Sequence, residues 1–498
     1  MMNHSETSSD KFQPMDPEDF RKQVHRTVDF IADYYKNIES YPVLSPVEPG
    51  FLLSQLPNIA PINAEPLEAV LRDVEKYIIP GLLHWVSPNF FAYFPLTTST
   101  AGFIGEMLCS AFNALGFNWI ASPAGTELEM VVMDWMANIF GLPPSFSFSG
   151  TGGGVIHSST SEAILCTVVA ARDRVLARLE PGSLSKLVAY GSDQTHSVFG
   201  KACRIAGIAP CNIRLLETSP NVKSAECSLS PVLLRRTMED DVAAGLIPFY
   251  VCATVGTTST TAVDPVREVA EVASNYTAWV HIDAAYAGSA CICPEFRHHL
   301  DGVELVDSIS ISPYKWLLSH LDCCCVWVRH PDFLMKSLSL DGEYIQNSFS
   351  DSKNVVDYKD WQIGLTRRFR ALRLWVILRC YGVANLQAHI RSDVELAKMF
   401  EQLVVQDPRF EVVVPRKFGL VCFRLGTRGC NSDRVDELNE SLLKAVNSTG
   451  RVYMTHTKVG GAYILRFVVG VVSTEERHVA AAWDLIKEKA DDLVGKLG

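Results

Sequence analysis

The chain has 498 residues and a formal net charge of −11, with 45 lysines and arginines against 56 acidic residues. An acidic chain without a basic cluster is not expected to bind nucleic acid or an anionic membrane surface. The hydrophobic fraction of 48% and the charged fraction of 20% are typical of a globular protein with room for two or three domains.

The N-terminal residues, the lengths of the apolar stretches and the cysteine spacing indicate the cellular compartment. The first ten residues include acids and lack an apolar run, unlike a secretory signal or a transit peptide. No uninterrupted apolar stretch approaches the roughly 18 residues that a membrane helix needs. The 14 cysteines lack paired Cys-x-x-Cys spacing, so we expect no metal site and interpret them as buried thiols in a reducing compartment. The sequence therefore predicts a cytoplasmic protein without a membrane span.

Residues 1–85 are predicted to form an N-terminal helical arm. Asp16 is typical of a helix N-cap and Pro17 of the first helical position. Apolar residues then recur along one helix face, at Val24, Val28, Ile31 and Tyr35. A helix that is apolar on one face needs a partner surface, so we expect the arm to pack on a second subunit, with packing on its own chain as the alternative.

The segment from Trp85 to Pro95 is rich in aromatic residues and interrupted by prolines, so we do not expect a regular helix there. Aromatic side chains favour flat aromatic ligands, and they also fill ordinary protein cores. Both interpretations remain open on composition alone.

A glycine-rich turn beginning at Gly150 is predicted to precede a helix from Glu162 onward. Thr160 and Ser161 then bring hydroxyls and free backbone amides to a helix N-terminus, which is a natural seat for a phosphate. The segment does not fit the dinucleotide-binding fingerprint, because the third glycine would fall at Val155. A capped helix after a flexible loop is the alternative.

From residue 186 to residue 330 apolar strands alternate with helical patterns. The predicted strands are Lys186–Tyr190, Phe249–Val255, Ala278–Asp283, Ser308–Ser312 and Cys323–Val328. Continuous apolar strands separated by helices predict an α/β fold with a mostly parallel sheet that is covered by helices on both faces. Ligands of such sheets bind beyond the carboxyl ends of the strands.

Four polar residues lie at those predicted ends. Asp283 ends the third strand, and His196, Thr258 and Lys315 follow the first, second and fourth. A lysine and a carboxylate in this arrangement suit pyridoxal phosphate, because the amine forms a Schiff base and the acid keeps the pyridine nitrogen protonated. A solvated lysine and a structural histidine are the alternatives.

The remaining chain predicts a loop and a second domain. Residues 340–354 are polar and without periodicity, which indicates a mobile functional loop, and Tyr344 within it is either solvated or functional. Beyond residue 385, two strand pairs alternate with helices. This pattern predicts a small α+β domain over 386–498, after a large cofactor-binding α/β domain over 86–385.

Three segments carry a family resemblance: His281–Ala290, Ser312–Trp316 and Asp357–Ile363. They resemble the group II pyridoxal-phosphate decarboxylases, and most of all the plant aromatic L-amino-acid decarboxylases of the tryptophan and tyrosine decarboxylase type. The resemblance runs from about residue 14 to the C-terminus. It implies a fold-type I enzyme that converts an aromatic L-amino acid to the amine and carbon dioxide, as a homodimer with its active site at the subunit interface.

The resemblance also implies roles for individual residues. Cofactor-binding residues would be Lys315, Asp283, His196, Thr160, Ser161, Thr258 and Tyr314. Substrate-binding residues would be Trp85, Tyr93, Phe94, Pro95 and Thr366, with Leu115 and Phe117 reaching the pocket from the partner subunit. Lys315, His196 and Tyr344 would be the catalytic residues.

Tyr344 bears on the product. In decarboxylases of this family a tyrosine here protonates the carbon that has lost carbon dioxide, whereas aldehyde synthases carry phenylalanine. We therefore expect an amine. The alternatives are an aldehyde synthase, which releases aldehyde, hydrogen peroxide and ammonia, and a catalytically silent interaction protein with the same fold.

Two positions depart from the family pattern. Tyr314 stands where relatives usually have histidine, and Thr366 where tryptophan decarboxylases tend to have glycine and tyrosine decarboxylases serine. Threonine at 366 narrows the room for an indole ring if it faces the pocket. The segments Asn385–Val394 and Asn447–His456 nevertheless look more like the tryptophan enzymes, so the preferred substrate stays open among the aromatic amino acids.

Overall fold

The computed structural model describes residues 14–218, 227–340, 342–352, 354–426 and 432–495. In chain order its strands are β1 (Phe90–Phe91), β2 (Gly153–His157), β3 (Leu187–Ser192), β4 (Ile213–Leu216), β5 (Ile247–Thr254), β6 (Trp279–Asp283), β7 (Ser308–Ile311), β8 (Cys324–Val328), β9 (Phe410–Val412), β10 (Leu420–Leu425), β11 (Tyr453–Val459) and β12 (Ala462–Val468).

The described residues also form a set of helices. They are α1 (Pro17–Lys36), α2 (Leu67–Asp73), α3 (Thr100–Phe112), α4 (Pro123–Phe140), α5 (Thr160–Leu176), α6 (Val198–Ile205), α7 (Pro231–Ala243), α8 (Val266–Ser274), α9 (Pro313–Trp316), α10 (Asp332–Leu338), α11 (Ser348–Asp351), α12 (Arg370–Gln406), α13 (Ser432–Asn447) and α14 (Glu476–Val494).

The larger sheet has the strand order β2-β8-β7-β6-β5-β3-β4. Pairing is parallel from β7 through β6, β5 and β3 to β4, and antiparallel where β8 meets β7 and β2. Every residue of β6, β7 and β8 is buried, because α5, α6 and α10 cover one face while α4, α7 and α8 cover the other. The predicted α/β fold with a mostly parallel sheet is confirmed.

The glycine-rich segment differs from its prediction. The predicted turn is shorter than expected, because the chain from Gly153 onward forms the edge strand β2. A Cβ atom at Gly152 would lie 2.5 Å from the carbonyl oxygen of Val328, and one at Gly153 would lie 2.8 Å from the ring of Trp361. Glycine therefore serves close packing here more than chain reversal. The short strand β4 was also not predicted.

The smaller sheet has the order β1-β11-β12-β10-β9 and packs against α12, α13 and α14. The predicted strand pairs and helices of the C-terminal region are present. The strand β1 joins this sheet from residues 90–91, and α12 runs across the predicted boundary at 385, with an interruption at Gly382. The division into arm, large domain and small domain stays a prediction.

The arm begins as expected. The Asp16 side chain caps α1 by accepting hydrogen bonds from the amides of Glu18 at 2.8 Å and Asp19 at 3.3 Å. No residue of α1 is buried, and Phe20 is 58% exposed. On that face Val28 is 41% exposed whereas Val24, Ile31 and Tyr35 are half-buried, so the described part of the chain covers the apolar face of α1 only in part.

The helices can be compared with the length and apolar character of a membrane-spanning helix. Among the described residues, no helix combines the length and apolar character that crossing a bilayer requires.

His281 on β6 makes the stability of the fold depend on pH. Its ring nitrogens lie 2.8 Å from Ser308 Oγ and 3.1 Å from Ser310 Oγ on β7, fully buried. Burial lowers its pKa from 6.5 to about 4, while the charge of Asp283 acts in the opposite direction. Between these pH values the unfolded chain binds a proton that the folded protein excludes. Stability from this group is therefore present above pH 6.5 and is lost as the pH falls toward 4.

We predict that His281→Asn flattens the pH dependence of apoprotein stability between pH 6.5 and 4. The lost slope corresponds to at most one proton, roughly 1 kcal/mol per pH unit. Urea unfolding midpoints taken at half-unit pH steps on the variant and the parent protein measure it. Parallel curves for the two proteins would contradict the assignment.

Candidate active site

A cavity of about 210 Å³ lies beyond the carboxyl ends of β5 and β6. Parallel pairing brings these strand ends to one edge of the sheet, which is where ligands of such folds bind. All seven residues predicted to bind the cofactor line the cavity, namely Thr160, Ser161, His196, Thr258, Asp283, Tyr314 and Lys315. These seven residues, up to 155 positions apart in the sequence, therefore lie around one cavity.

Lys315 belongs to the single-turn helix α9, which follows β7 directly. Burial of the amine in the cavity lowers its pKa from the usual 10.5, and the charge of Asp283 partly opposes that shift. Asp283 is 4% exposed, and its Oδ1 accepts a hydrogen bond from the amide of Ala285 at 3.1 Å. The cavity thus holds an amine that is more easily deprotonated than an ordinary lysine and a carboxylate that acts on it.

His196 stands at the mouth of the same cavity. Its Nδ1 accepts a hydrogen bond from the amide of Val198 at 3.1 Å, which fixes the ring orientation. Burial lowers its pKa, with Asp283 raising it and Lys315 lowering it further. The shift favours a neutral imidazole, which suits a ring that packs against a flat ligand.

One end of the cavity is rich in hydroxyls. Thr160 is the first residue of α5, and its Oγ1 lies 3.0 Å from Ser312 Oγ. Burial raises the pKa of Tyr314 to about 12, while hydrogen bonds to Ser312 and Thr160 act in the opposite direction. We call Thr160, Ser312 and Tyr314 the hydroxyl cluster. Together with the N-terminal amides of α5 it makes this end of the cavity suited to an anion.

Phe94 forms the aromatic wall of the cavity. Its ring stacks on Tyr286 with centroids 3.7 Å apart, and Lys315 Nζ lies 5.9 Å from its centroid. Pro95, the next residue in the chain, is buried and does not line the cavity. Tyr93 lines an adjoining open groove that shares Thr258 with the cavity, and Trp85 stacks on Tyr93 at 5.4 Å.

Besides Trp85, Tyr93 and Pro95, which also lie outside the cavity lining, four other predicted residues do not line the cavity of their own chain: Leu115, Phe117, Tyr344 and Thr366. The side chain of Tyr344 is 81% exposed and that of Leu115 is 41% exposed. Within one chain these residues lie apart from the lysine, so the structure of a single chain leaves their roles untested.

Arg466 is a site residue that the sequence reasoning missed. It is 4% exposed, and it donates to the carbonyl oxygens of Thr258 at 2.9 Å and of Tyr93 at 3.3 Å. Tyr93 adopts a left-handed backbone with φ of 53°, so the arginine ties a strained turn to β12. An arginine inside the apolar strand β12 was the available signal.

The cavity fits pyridoxal phosphate. It offers an amine for the aldehyde, a carboxylate for the ring nitrogen, an aromatic wall and an anion-binding end. Thr254 Oγ1 also lines it, buried and without a hydrogen-bond partner among the described residues. A buried polar atom without a partner at a cavity wall is typical of a ligand site.

Comparison with known proteins agrees with this chemistry. Residues 49–426 match the model of the pyridoxal-dependent decarboxylase conserved domain. Tryptophan decarboxylase TDC2 of Camptotheca acuminata is 63% identical over 496 residues, which cover 99% of this chain and 98% of that protein. Phenylacetaldehyde synthase of a Rosa hybrid cultivar is 55% identical over 494 residues, covering 98% of this chain and 97% of that protein.

A solved structure shares the whole fold. The crystal structure of Oryza sativa TDC with pyridoxal phosphate and tryptamine superposes with a TM-score of 0.94 at 52% identity, covering 97% of this chain and 100% of that one. The domain match over most of the chain and the near-complete coverage of these relatives exclude a likeness limited to the fold. The chain belongs to the pyridoxal-dependent decarboxylase family, whose cofactor is pyridoxal phosphate.

Proposed function

We propose that this enzyme decarboxylates an aromatic L-amino acid to the arylalkylamine and carbon dioxide. The observation that carries the proposal is the convergence of Lys315 and Asp283 in one cavity with the aromatic wall of Phe94. Tryptophan is the substrate that the relative at 63% identity supports.

The cofactor would be held by residues of one chain. Lys315 Nζ would bond it covalently, Asp283 would keep its ring nitrogen protonated, and His196 would pack on its ring. The hydroxyl cluster, Ser161 and the amides of α5 would hold the phosphate, with Thr258 contacting the ring. When bound, the cofactor supplies an electron-accepting ring for the electron pair that carbon dioxide leaves behind.

The protein groups around the substrate have separate tasks. Phe94 would pack on the aromatic side chain, with Trp85, Tyr93 and Pro95 extending the surface next to it. Tyr344 would donate a proton to the carbon that has lost carbon dioxide. Because protonation at this carbon gives an amine, Tyr344 favours decarboxylation over aldehyde formation.

We further propose that the enzyme is a homodimer with shared active sites. The apolar face of α1 is only partly covered, and exposed apolar residues lie along α3 and the segment after it, at Ile104, Met107, Leu108, Phe112, Leu115 and Ile120. Large exposed apolar surfaces of this kind mark protein interfaces. A second subunit would cover them and would bring its Leu115, Phe117, Tyr344 and Thr366 to the cavity.

A cytoplasmic location is part of the proposal. None of the 13 cysteines that the structure describes forms a disulfide, and most are buried. Free buried thiols are typical of reducing compartments.

The reaction is tested by incubating the cofactor-loaded protein with equimolar tryptophan, tyrosine, phenylalanine and dihydroxyphenylalanine and identifying the products by mass. We expect amines from the parent protein. Tyr344→Phe removes the proton donor, so in air-saturated buffer amine formation should fall by about 100-fold while aldehyde, ammonia and peroxide appear, with dissolved dioxygen as the oxidant that is reduced to peroxide.

Peroxide released by the parent protein in step with substrate, without amine, would instead establish an aldehyde synthase. Failure of the parent protein to bind pyridoxal phosphate at micromolar concentrations would indicate a silent interaction protein.

Shared active sites are tested by mixing inactive variants. When Lys315→Ala and Tyr344→Phe subunits are dissociated and reassembled together, one site of each mixed dimer receives both lesions and the other receives neither. Random association should restore amine formation to about a quarter of the parent rate.

The matched control mixes Lys315→Ala with Asp283→Asn, whose lesions lie in the same cavity of one chain. Every site of that mixture contains one lesion, so it should stay inactive. Recovery in the control, or none in the first mixture despite confirmed mixed dimers, would contradict the shared site.

A further inference from the structure

Trp316, the neighbour of Lys315 in α9, is anchored to a distant helix. Its indole is fully buried, and Nε1 donates a hydrogen bond to Asp393 Oδ2 on α12 at 2.7 Å. Asp393 is 2% exposed and lies 77 residues further along the chain. The turn that carries the cavity lysine is therefore tied to a carboxylate outside the cavity.

The same indole begins a stack of rings that ends at the cavity. Trp316 stacks on Tyr286 with centroids 4.7 Å apart and an interplanar angle of 11°. Tyr286 stacks in turn on Phe94 at 3.7 Å and 13°, and Phe94 lines the cavity. We call Trp316, Tyr286 and Phe94 the aromatic column.

The column has little freedom to shift sideways. A Cβ atom at Gly419 would lie 2.9 Å from the Tyr286 hydroxyl and 3.3 Å from Trp316 Cζ2. The backbone of the smaller sheet therefore closes directly against two of the three rings. A displacement of Trp316 is then transmitted through ring contacts to Phe94, because close-packed interiors transmit strain.

Burying the carboxylate of Asp393 in the core has a free-energy cost. Burial raises its pKa, and only the Trp316 hydrogen bond and the nearby His389 oppose that shift. His389 Nε2 lies 3.4 Å from Asp393 Oδ2, and the surroundings hold no arginine or lysine partner for the carboxylate among the described contacts. A buried carboxylate costs free energy unless its hydrogen bonds offset desolvation. If Asp393 only filled space in the core, an apolar side chain at this position would do so without that cost.

We propose that Asp393 is a positioning residue for the active site, which orients Trp316 and through it both Lys315 and the Phe94 wall. Asp393 touches neither substrate nor cofactor. The inference rests on the proposed role of Lys315 as the residue that bonds the cofactor. Asp393 on α12 would thus influence how the cofactor is oriented, although it is not one of the seven predicted cofactor-binding residues.

The test compares Asp393→Leu, Asp393→Asn and Trp316→Phe. Asp393→Leu removes the acceptor and adds volume, Asp393→Asn keeps the volume and an oxygen acceptor, and Trp316→Phe keeps a stacked ring and removes the donor. We expect Asp393→Leu to weaken pyridoxal phosphate binding about tenfold and to change the visible circular dichroism of the bound cofactor. Asp393→Asn should retain most of the parent affinity and spectrum.

Two further measurements separate positioning from folding. Trp316→Phe should reproduce the Asp393→Leu spectrum, and the double variant should show no additional loss, because both changes break one hydrogen bond. Asp241→Leu is the control for losing a buried carboxylate outside the aromatic column, where Asp241 accepts from Tyr190 at 2.9 Å and from Arg214 Nε at 3.1 Å. It should lower the unfolding temperature and leave the affinity and spectrum of the folded protein unchanged.

The proposal is overturned if Asp393→Leu lowers only the unfolding temperature, or if its loss of affinity adds fully to that of Trp316→Phe. Should Asp393→Leu fail to fold, the spectra of Asp393→Asn and Trp316→Phe decide: an unchanged Trp316→Phe spectrum overturns the inference. Failure of the parent protein to bind pyridoxal phosphate would count against the proposed function instead.

Discussion

A buried amine beside a buried carboxylate is the interaction on which the rest of the site depends. The strands β6 and β7 run parallel with Asp283 paired to Ser310, so the chain leaves both strands at the same edge of the sheet. Burial favours the neutral form of Lys315, and Asp283 favours the charged form. A reactive amine needs this balance, because a fully solvated lysine stays protonated and a lone buried one has no charge partner. The sheet, its covering helices and the hydroxyl cluster all serve to keep the two groups enclosed.

The site draws on more than the large sheet. Arg466 on β12 and Asp393 on α12 reach the cavity wall through Tyr93, Thr258 and Trp316, so elements from the C-terminal part of the chain help to fix its shape. Tyr344 and Leu115 remain exposed in a single chain. The proposed dimer accounts for a cofactor site built by one chain and for an exposed Tyr344, since one chain would bind the cofactor and its partner would supply the proton donor.

Much of this arrangement could be predicted from the sequence because its signals are local. Continuous apolar strands gave the parallel sheet, and polar residues at their ends gave Lys315, Asp283 and His196. Glycine is typical of turns, so the sequence predicts a turn where β2 forms, and the close packing of these glycines depends on Val328 and Trp361, which are distant in sequence. The contacts of Arg466 and Asp393 were missed for the same reason, since their partners lie 208 and 77 residues away. Tyr344 is exposed in one chain, and its place in a complete site belongs to the proposed dimer.

The covalent attachment point is the most direct test of the central claim. The cofactor-loaded protein is reduced with borohydride, digested, and searched by mass spectrometry for a lysine carrying the pyridoxyl group. The account predicts the label on Lys315 and an unlabelled Lys315→Ala protein without turnover. A label on another lysine, or a Lys315→Ala protein that keeps its visible absorbance and full activity, would contradict it.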